Sequence, residues 1–236
     1  MADRGIIFSA PMVRALLAGR KTQTRRLLSL SKYRGMTKFG PSNTAGFDWH
    51  FRRADQCWCD IRDDRLRELL PHSAADRLYV REAWRPHYLG DGVWDLDVSY
   101  AADGERRRIM DGEFEENDWS WPKAADRGNV PSIHMPRWAS RLTLTVTDVR
   151  VQRVQEIDGA DAEAEGCVWD SADGHDVWYV PGAQTPRNGA TAAECFSILW
   201  DSLHTKPGTR WDDNPWVYAL TFDATMGNIG QIEREP

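Results

Sequence analysis

The chain has 236 residues, 41% hydrophobic and 28% charged, with a net charge of −6 at pH 7. That is ordinary globular stock for one domain with insertions or two small ones. No apolar run reaches the roughly 18–20 residues of a membrane span, and 4 cysteines do not make a disulfide scaffold, so a membrane, collagen-like, disordered or disulfide-rich secreted chain is not expected. The opening MADRGIIFSAPMVR has no apolar core behind a basic segment. A secretory leader is therefore not expected, and a cytoplasmic location is.

Gly5–Ser9 reads as a short buried strand. Pro11 suits a first helical turn, Met12, Val13, Leu16 and Leu17 supply the apolar stripe, and Gly19 stops the helix. The run Arg20–Arg26 follows as extended, basic chain. Residues 33–75 read as long polar loops with one strand near Trp58. Asp76–Trp84 alternates, placing Leu78, Val80, Glu82 and Trp84 on one face. Residues 86–130 read as an insertion with a hairpin around Trp94–Ala101, and Pro131–Trp138 as extended chain between prolines.

Arg141–Val154 is the clearest strand, with Leu142, Leu144 and Val146 on one face. Asp158 caps a short helix through Glu165, closed by Gly166. Residues 167–190 are loop. Thr191 and Glu194 form a capping box ahead of a helix to Leu203. A last strand carries Trp216, Tyr218, Leu220 and Phe222, and 226–236 reads as a flexible tail. Few helices among strands joined by long loops predict an α+β fold, a small mixed barrel with covering helices.

Charge is unevenly spread. Residues 1–86 hold 17 Lys and Arg against 9 Asp and Glu, whereas the remainder holds 13 against 27. Either the basic third lines a concave face suited to phosphate, or the two parts neutralise each other across an interface.

The segments SAPMVRALLAGRKTQTRR, DRLYVREAW, PSIHMPRWASRLTL, EIDGADAEAEGC, FSILWDSLH and NPWVYALTF, in this order, resemble ASCH-domain proteins, closest to the longer phage- and prophage-encoded members. The G-x-K-x-x-T-x-R element of that family stands here as Gly19, Lys21, Thr24 and Arg26. The resemblance implies a single PUA-like β-barrel domain over 1–225, with insertions at about 33–75, 86–130 and 167–190 and a cleft at the barrel mouth. It further implies binding of nucleic acid, RNA foremost and single-stranded DNA less so, or of a modified nucleotide. Some small bacterial members are amidohydrolases that deacetylate N4-acetylcytidine with a Lys, a Thr and a Glu. Matched residue by residue, these are Lys21, Thr24 and Glu165, the last resting on the short Ala162–Glu165 stretch. The alternatives are a ribonuclease or a phage accessory module that binds protein.

A threonine hydroxyl needs a base, and Lys21 can serve only if burial or neighbouring cations depress its pKa. A carboxylate beside it acts in the opposite direction. Lys21 and Thr24, three residues apart, face opposite sides of a regular strand, so they can share a site only if Lys21 still belongs to the turn after Gly19 or a bulge intervenes. Arg20, Arg25 and Arg26 are candidates to hold phosphate. Glu82, if buried, needs a cation, with Arg26, Arg81 or Lys21 as candidates for either a structural pair or a cleft contact. His134, Arg137 and Trp138 can stack on a base or serve packing. Of the 12 tryptophans, Trp49, Trp58, Trp119, Trp121, Trp169 and Trp178 fall in loops, and one or two at most are expected at ligand; Trp84, Trp200 and Trp216 read as core. Cys57 and Cys59 are too closely spaced for a structural zinc site, so neither metal nor cofactor is expected.

Overall fold

The computed structural model describes residues 3–28, 38–88, 96–109, 122–171, 176–185 and 189–232. The N-terminal part runs β1 (Arg4–Ile7), α1 (Ala10–Leu17), β2 (Gln23–Leu27), β3 (Lys38–Pro41), β4 (Trp49–Arg52), β5 (Trp58–Ile61) and α2 (Asp63–Leu69). Next come β6 (Arg77–Arg81), β7 (Trp84–Tyr88), β8 (Leu96–Tyr100), β9 (Arg106–Ile109) and β10 (Leu142–Arg153). The chain then continues through α3 (Gly159–Ala164), β11 (Val168–Asp170), β12 (Val177–Tyr179), α4 (Ala192–Leu203) and β13 (Trp216–Met226). The class is α+β, as expected, with sheets dominant and few helices.

The central sheet has the order β1-β6-β10-β13-β2, parallel between β1 and β6 and antiparallel elsewhere. Its long spine is the β10–β13 ladder, kinked by a register shift between Val146 and Asp148. Leu142, Leu144, Val146, Leu220 and Phe222 are buried along that spine beside Leu78 and Val80, so the alternation read in the sequence is the core face of the sheet. The ladder does not close into a barrel among the described residues. The two edge strands are nevertheless clasped by a side chain: Arg26 of β2 donates from Nη2 to the Ile7 carbonyl at 2.7 Å and lies over the Phe8 ring at 5.2 Å.

Four stretches differ from the sequence expectation, one being Trp169–Gly189, expected as loop, where β11 and β12 pair antiparallel with Trp169 opposite Trp178. Residues 38–69 hold the three-stranded sheet β3-β4-β5 and α2 rather than loop with one strand. The cause is tertiary: Trp49 stacks on Phe39 at 5.1 Å, both rings meet Trp216 edge-on, and the Trp216 indole donates to the Phe39 carbonyl. Strands of four residues are too short to print a period. Pro131–Trp138 is not extended; it forms two 3-10 turns, Ser132–His134 and Arg137–Ala139, each entered through a proline that presets φ. Beyond Met226 the chain is anchored rather than flexible as far as Ile232. Ile229 is buried, and Asn228 Nδ2 donates to the carbonyls of Arg137, Trp138 and Ser140. Residues 233–236 lie outside the described residues.

The 86–130 insertion contributes β7-β8-β9 and a second core of Trp84, Leu96, Val98, Tyr100, Ile109, Met135 and Trp138. The hairpin expected around Trp94–Ala101 is this sheet, although Trp94, Trp119 and Trp121 lie outside the described residues. Arg141, just before β10, joins the two cores. Its guanidinium meets Glu82 through two bonds of 2.9 and 3.0 Å, reaches Asp103 and Glu105 on the β8–β9 connection, and lies over the Tyr100 ring at 4.0 Å. Glu82 is therefore paired with Arg141, not with Arg26, Arg81 or Lys21. β10 neighbours β6 in the sheet, so Arg141, one residue before β10, lies where the chain leaves β6.

Removing one partner of a buried pair strands the other. Arg141→Ala is expected to cost about 3–5 kcal/mol, read as a lower urea midpoint, whereas Arg141→Met combined with Glu82→Met recovers most of that loss.

Candidate functional site

Gly19 follows α1 with φ at +68°, a left-handed conformation that favours glycine. The backbone N–H groups of Arg20 and Lys21 then both return to the Ala15 carbonyl at 2.9 and 3.2 Å. Lys21 thus belongs to the turn, and β2 starts two residues later. This settles the periodicity problem: Lys21 and Thr24 need not obey strand alternation. Thr22 N–H donates to the Ala164 carbonyl at 2.9 Å, tying this turn to the end of α3. α3 is itself capped by Asp158, whose carboxylate accepts from Asp161 N–H at 2.8 Å. Glu165 caps its other end, followed by Gly166 at φ +108°.

The Lys21 ammonium, 1% exposed, donates to Glu165 Oε2 at 2.6 Å and to the Glu165 carbonyl at 2.9 Å. Arg25 holds the other carboxylate oxygen, Oε1, from Nη1 at 3.2 Å, and its Nη2 donates to Asp161 Oδ2 at 2.5 Å. Arg150 takes the second Asp161 oxygen at 3.0 Å. Burial pushes the Asp161 carboxyl up, but bonds from Arg150 and Gln23 and the Arg25 charge outweigh it and hold the group below the usual carboxylate range. Burial pulls Lys21 below the usual lysine range, against the Glu165 carboxylate, and the Arg26 guanidinium adds to the fall. Desolvation therefore wins the contest between burial and counter-charge.

Lys21, Thr24, Arg25, Arg26 and Glu165 line one cavity of about 410 Å³, within the ~300–1,000 Å³ range of small-ligand sites. The Thr24 hydroxyl has no hydrogen-bond partner among the described residues. Phe8, Phe196 and Trp200 supply aromatic walls, and Ile7 and Leu203, both exposed, form part of the rim. His204 stacks on Trp200 at 3.8 Å and is bonded through Nδ1 to the Trp200 carbonyl at 3.0 Å. A carbonyl can only accept, so Nδ1 carries the proton and Nε2 remains an acceptor. Burial lowers the His204 pKa, with Arg26 contributing.

The structure thus brings together Lys21, Thr24, Arg25, Arg26 and Glu165 from the sequence candidates, and separates the rest. Arg25 is not available to phosphate, because its guanidinium is buried and bonded to two carboxylates. Arg20, Glu82 and Arg137 do not line this cavity. Arg137 pairs with Asp3 at 2.6 Å. His134 and Trp138 line a second cavity, discussed below. Of the tryptophans expected in loops, Trp49, Trp58, Trp169 and Trp178 lie instead in β4, β5, β11 and β12; Trp58 and Trp169 are exposed, while Trp49 and Trp178 pack against the core. Sequence reasoning missed Phe196, Trp200 and His204, which lie on or just after α4. Their helical spacing reads as core, and Trp200 serves core and cavity together. Among the described residues no cluster of His, Cys, Asp or Glu is arranged to hold a metal ion.

Between the depressed native pKa of Lys21 and its ordinary value of 10.5, the unfolded chain binds a proton that the native chain does not. The contribution of this group to stability therefore rises with pH across that window and is smallest below it. Urea midpoints measured from pH 7 to 10.5 should show this upward component in the parent chain and lose it in Lys21→Met. Arg25→Ala, which strands Glu165 and Asp161, is expected to cost about 3–5 kcal/mol at neutral pH by the same measurement. No protein-family model matches the chain, and comparison with curated proteins and with solved structures finds no significant match.

Proposed function

We propose that this chain is an ASCH-type protein built on an open PUA-like barrel, that its 410 Å³ cavity takes the base of a modified nucleoside or nucleotide, and that Lys21, Thr24 and Glu165 hydrolyse an N4-acyl amide of cytosine. One observation carries the reading: an amine, a hydroxyl and a carboxylate drawn from segments 144 residues apart line the same cavity. The hydrogen bonding suits a neutral amine. Such an amine has two N–H donors, and Glu165 offers two acceptors, Oε2 and the carbonyl, leaving the lone pair for a substrate or hydroxyl proton.

The chemistry then balances without another group. Lys21 Nζ takes the Thr24 hydroxyl proton as Oγ1 adds to the acyl carbonyl. The carbonyl C–N4 bond breaks as N4 receives that proton from Lys21, releasing cytosine with a free amine and leaving an ester on Thr24. Water cleaves the ester with the same proton shuttle, yielding a carboxylic acid and the free hydroxyl. Glu165, held by Arg25, keeps the amine in position. Phe8, Phe196 and Trp200 offer faces for the pyrimidine, and His204 Nε2 offers an acceptor to a ring or exocyclic N–H.

Incubation with N4-acetylcytidine, followed by mass spectrometry, should show cytidine and acetate. Thr24→Ala is expected to abolish turnover while retaining nucleoside binding, and Lys21→Ala to lower kcat by roughly 10²–10⁴-fold. Because the base must be unprotonated, kcat/KM should rise with pH through one ionisation below 10.5, and that ionisation should vanish in Lys21→Arg. Saturable binding without turnover leaves a modified-base reader; neither binding nor turnover overturns the assignment.

A further inference from the structure

A second cavity, of about 510 Å³, opens beside the first. Its walls include Arg81, Trp84, Lys123, Ile133, His134 and Trp138. The two cavities are neighbours by construction. Ser132 lines the first, and the next two residues of the same 3-10 turn line the second. Likewise Ile7 lines the first and Arg81 the second, and these two residues are register partners in the β1–β6 pair. Parallel neighbours of this kind stand about 4.8 Å apart.

The chemistry of the lining is specific. Among the described residues the lining carries two cations, Arg81 and Lys123, and no carboxylate. Arg81 is held in place by donating to the Met135 carbonyl at 3.0 Å and to the Ile133 carbonyl. Trp84 and Trp138 meet edge-on at 5.8 Å. Trp84 is 1% exposed, yet its indole Nε1–H has no acceptor among the described residues. A flat, partly apolar body that bears an anion satisfies the apolar wall and the cations together. The buried Trp84 indole, beneath that wall, reports on its occupancy.

We propose that this cavity is a binding site for a nucleotide, and that it takes the nucleotide flanking the base held in the first cavity, so that the preferred ligand is a short single-stranded RNA rather than a free nucleoside. The flanking role rests on the function proposed above; the nucleotide site itself does not. It returns His134 and Trp138 to ligand contact, in a place separate from Lys21.

Two measurements test it. First, the Trp84 indole N–H resonance, assigned in a ¹⁵N-indole spectrum by comparison with Trp84→Phe, is followed on titration with cytidine monophosphate. A saturable shift, weakened at least fivefold by Lys123→Glu, is expected in the parent chain and also in Lys21→Ala. Absence of any shift overturns the site, whatever the first cavity does. Second, the affinities of N4-acetylcytidine and of a dinucleotide containing it are compared by calorimetry in the Thr24→Ala background, where neither is turned over. A gain of at least tenfold for the dinucleotide, reduced by Lys123→Glu, is expected. Equal affinities overturn the flanking role while leaving the first cavity standing, and failure of both ligands alongside a Trp84 shift sinks the first cavity alone.

Discussion

The site depends on the burial of one ammonium group against one carboxylate. Taking Lys21 and Glu165 out of water costs several kcal/mol per ion, and their attraction offsets this because each side chain of the pair has a second partner. Arg25 and the Glu165 carbonyl supply those partners, and Asp161 and Arg150 extend the same chain of charges across to β10. The geometry of the Gly19 turn, the capping of α3 and the antiparallel pairing of β2 with β13 all deliver groups to this one network. Burial lowers the Lys21 pKa, and the Glu165 carboxylate and carbonyl hold the side chain in place.

Much of the scaffold was legible in the residues. Alternation announced the β10–β13 spine because both strands are long and present one face to a dry core. The α1 helix, its glycine stop and the two capped helices were legible because caps and stops are local chemistry. The short sheet β3-β4-β5 was not, since its strands exist through Trp49, Phe39 and Trp216 meeting across the fold, a contact that spans 177 residues. The proline-bracketed run at 131–138 misled for a related reason. Proline fixes its own φ and biases its neighbour, yet a 3-10 turn and an extended strand share that requirement at their first residue.

The candidate site was legible in its polar half only. Lys21, Thr24 and Glu165 carry chemistry that a spacing can suggest, and the turn after Gly19 decides whether they converge. The aromatic half comes from the face of α4 and from Phe8, where cavity wall and core wall have the same sequence signature. The arginines divide by role in a way that counting charges does not reveal. Arg25 orients a carboxylate, Arg26 joins two strand edges, and Arg137 ties down the N-terminal strand. Among the described residues of the basic N-terminal third, Lys21, Arg25 and Arg67 pair with carboxylates of the acidic remainder, whereas Arg14, Arg26, Arg77 and Arg81 donate to backbone carbonyls. Neutralisation across an interface thus accounts for a part of the charge split.

The insertion sheet β7-β8-β9 has its own apolar cluster, which includes the Trp84–Val130 bridge, and is tied to the main body by Arg141, by Arg14 donating to the Ala102 carbonyl and by Ala102 packing in the main core. A region with a private core can open as a unit with a free energy below that of global unfolding. Amide protons on β8 and β9 would then exchange through sub-global excursions that leave the β10–β13 ladder intact. Two walls of the second cavity, Trp84 and Val130, are bridged within that same cluster. A molecule lodged there would slow the excursions, so that occupancy is written into exchange rates on strands it never touches.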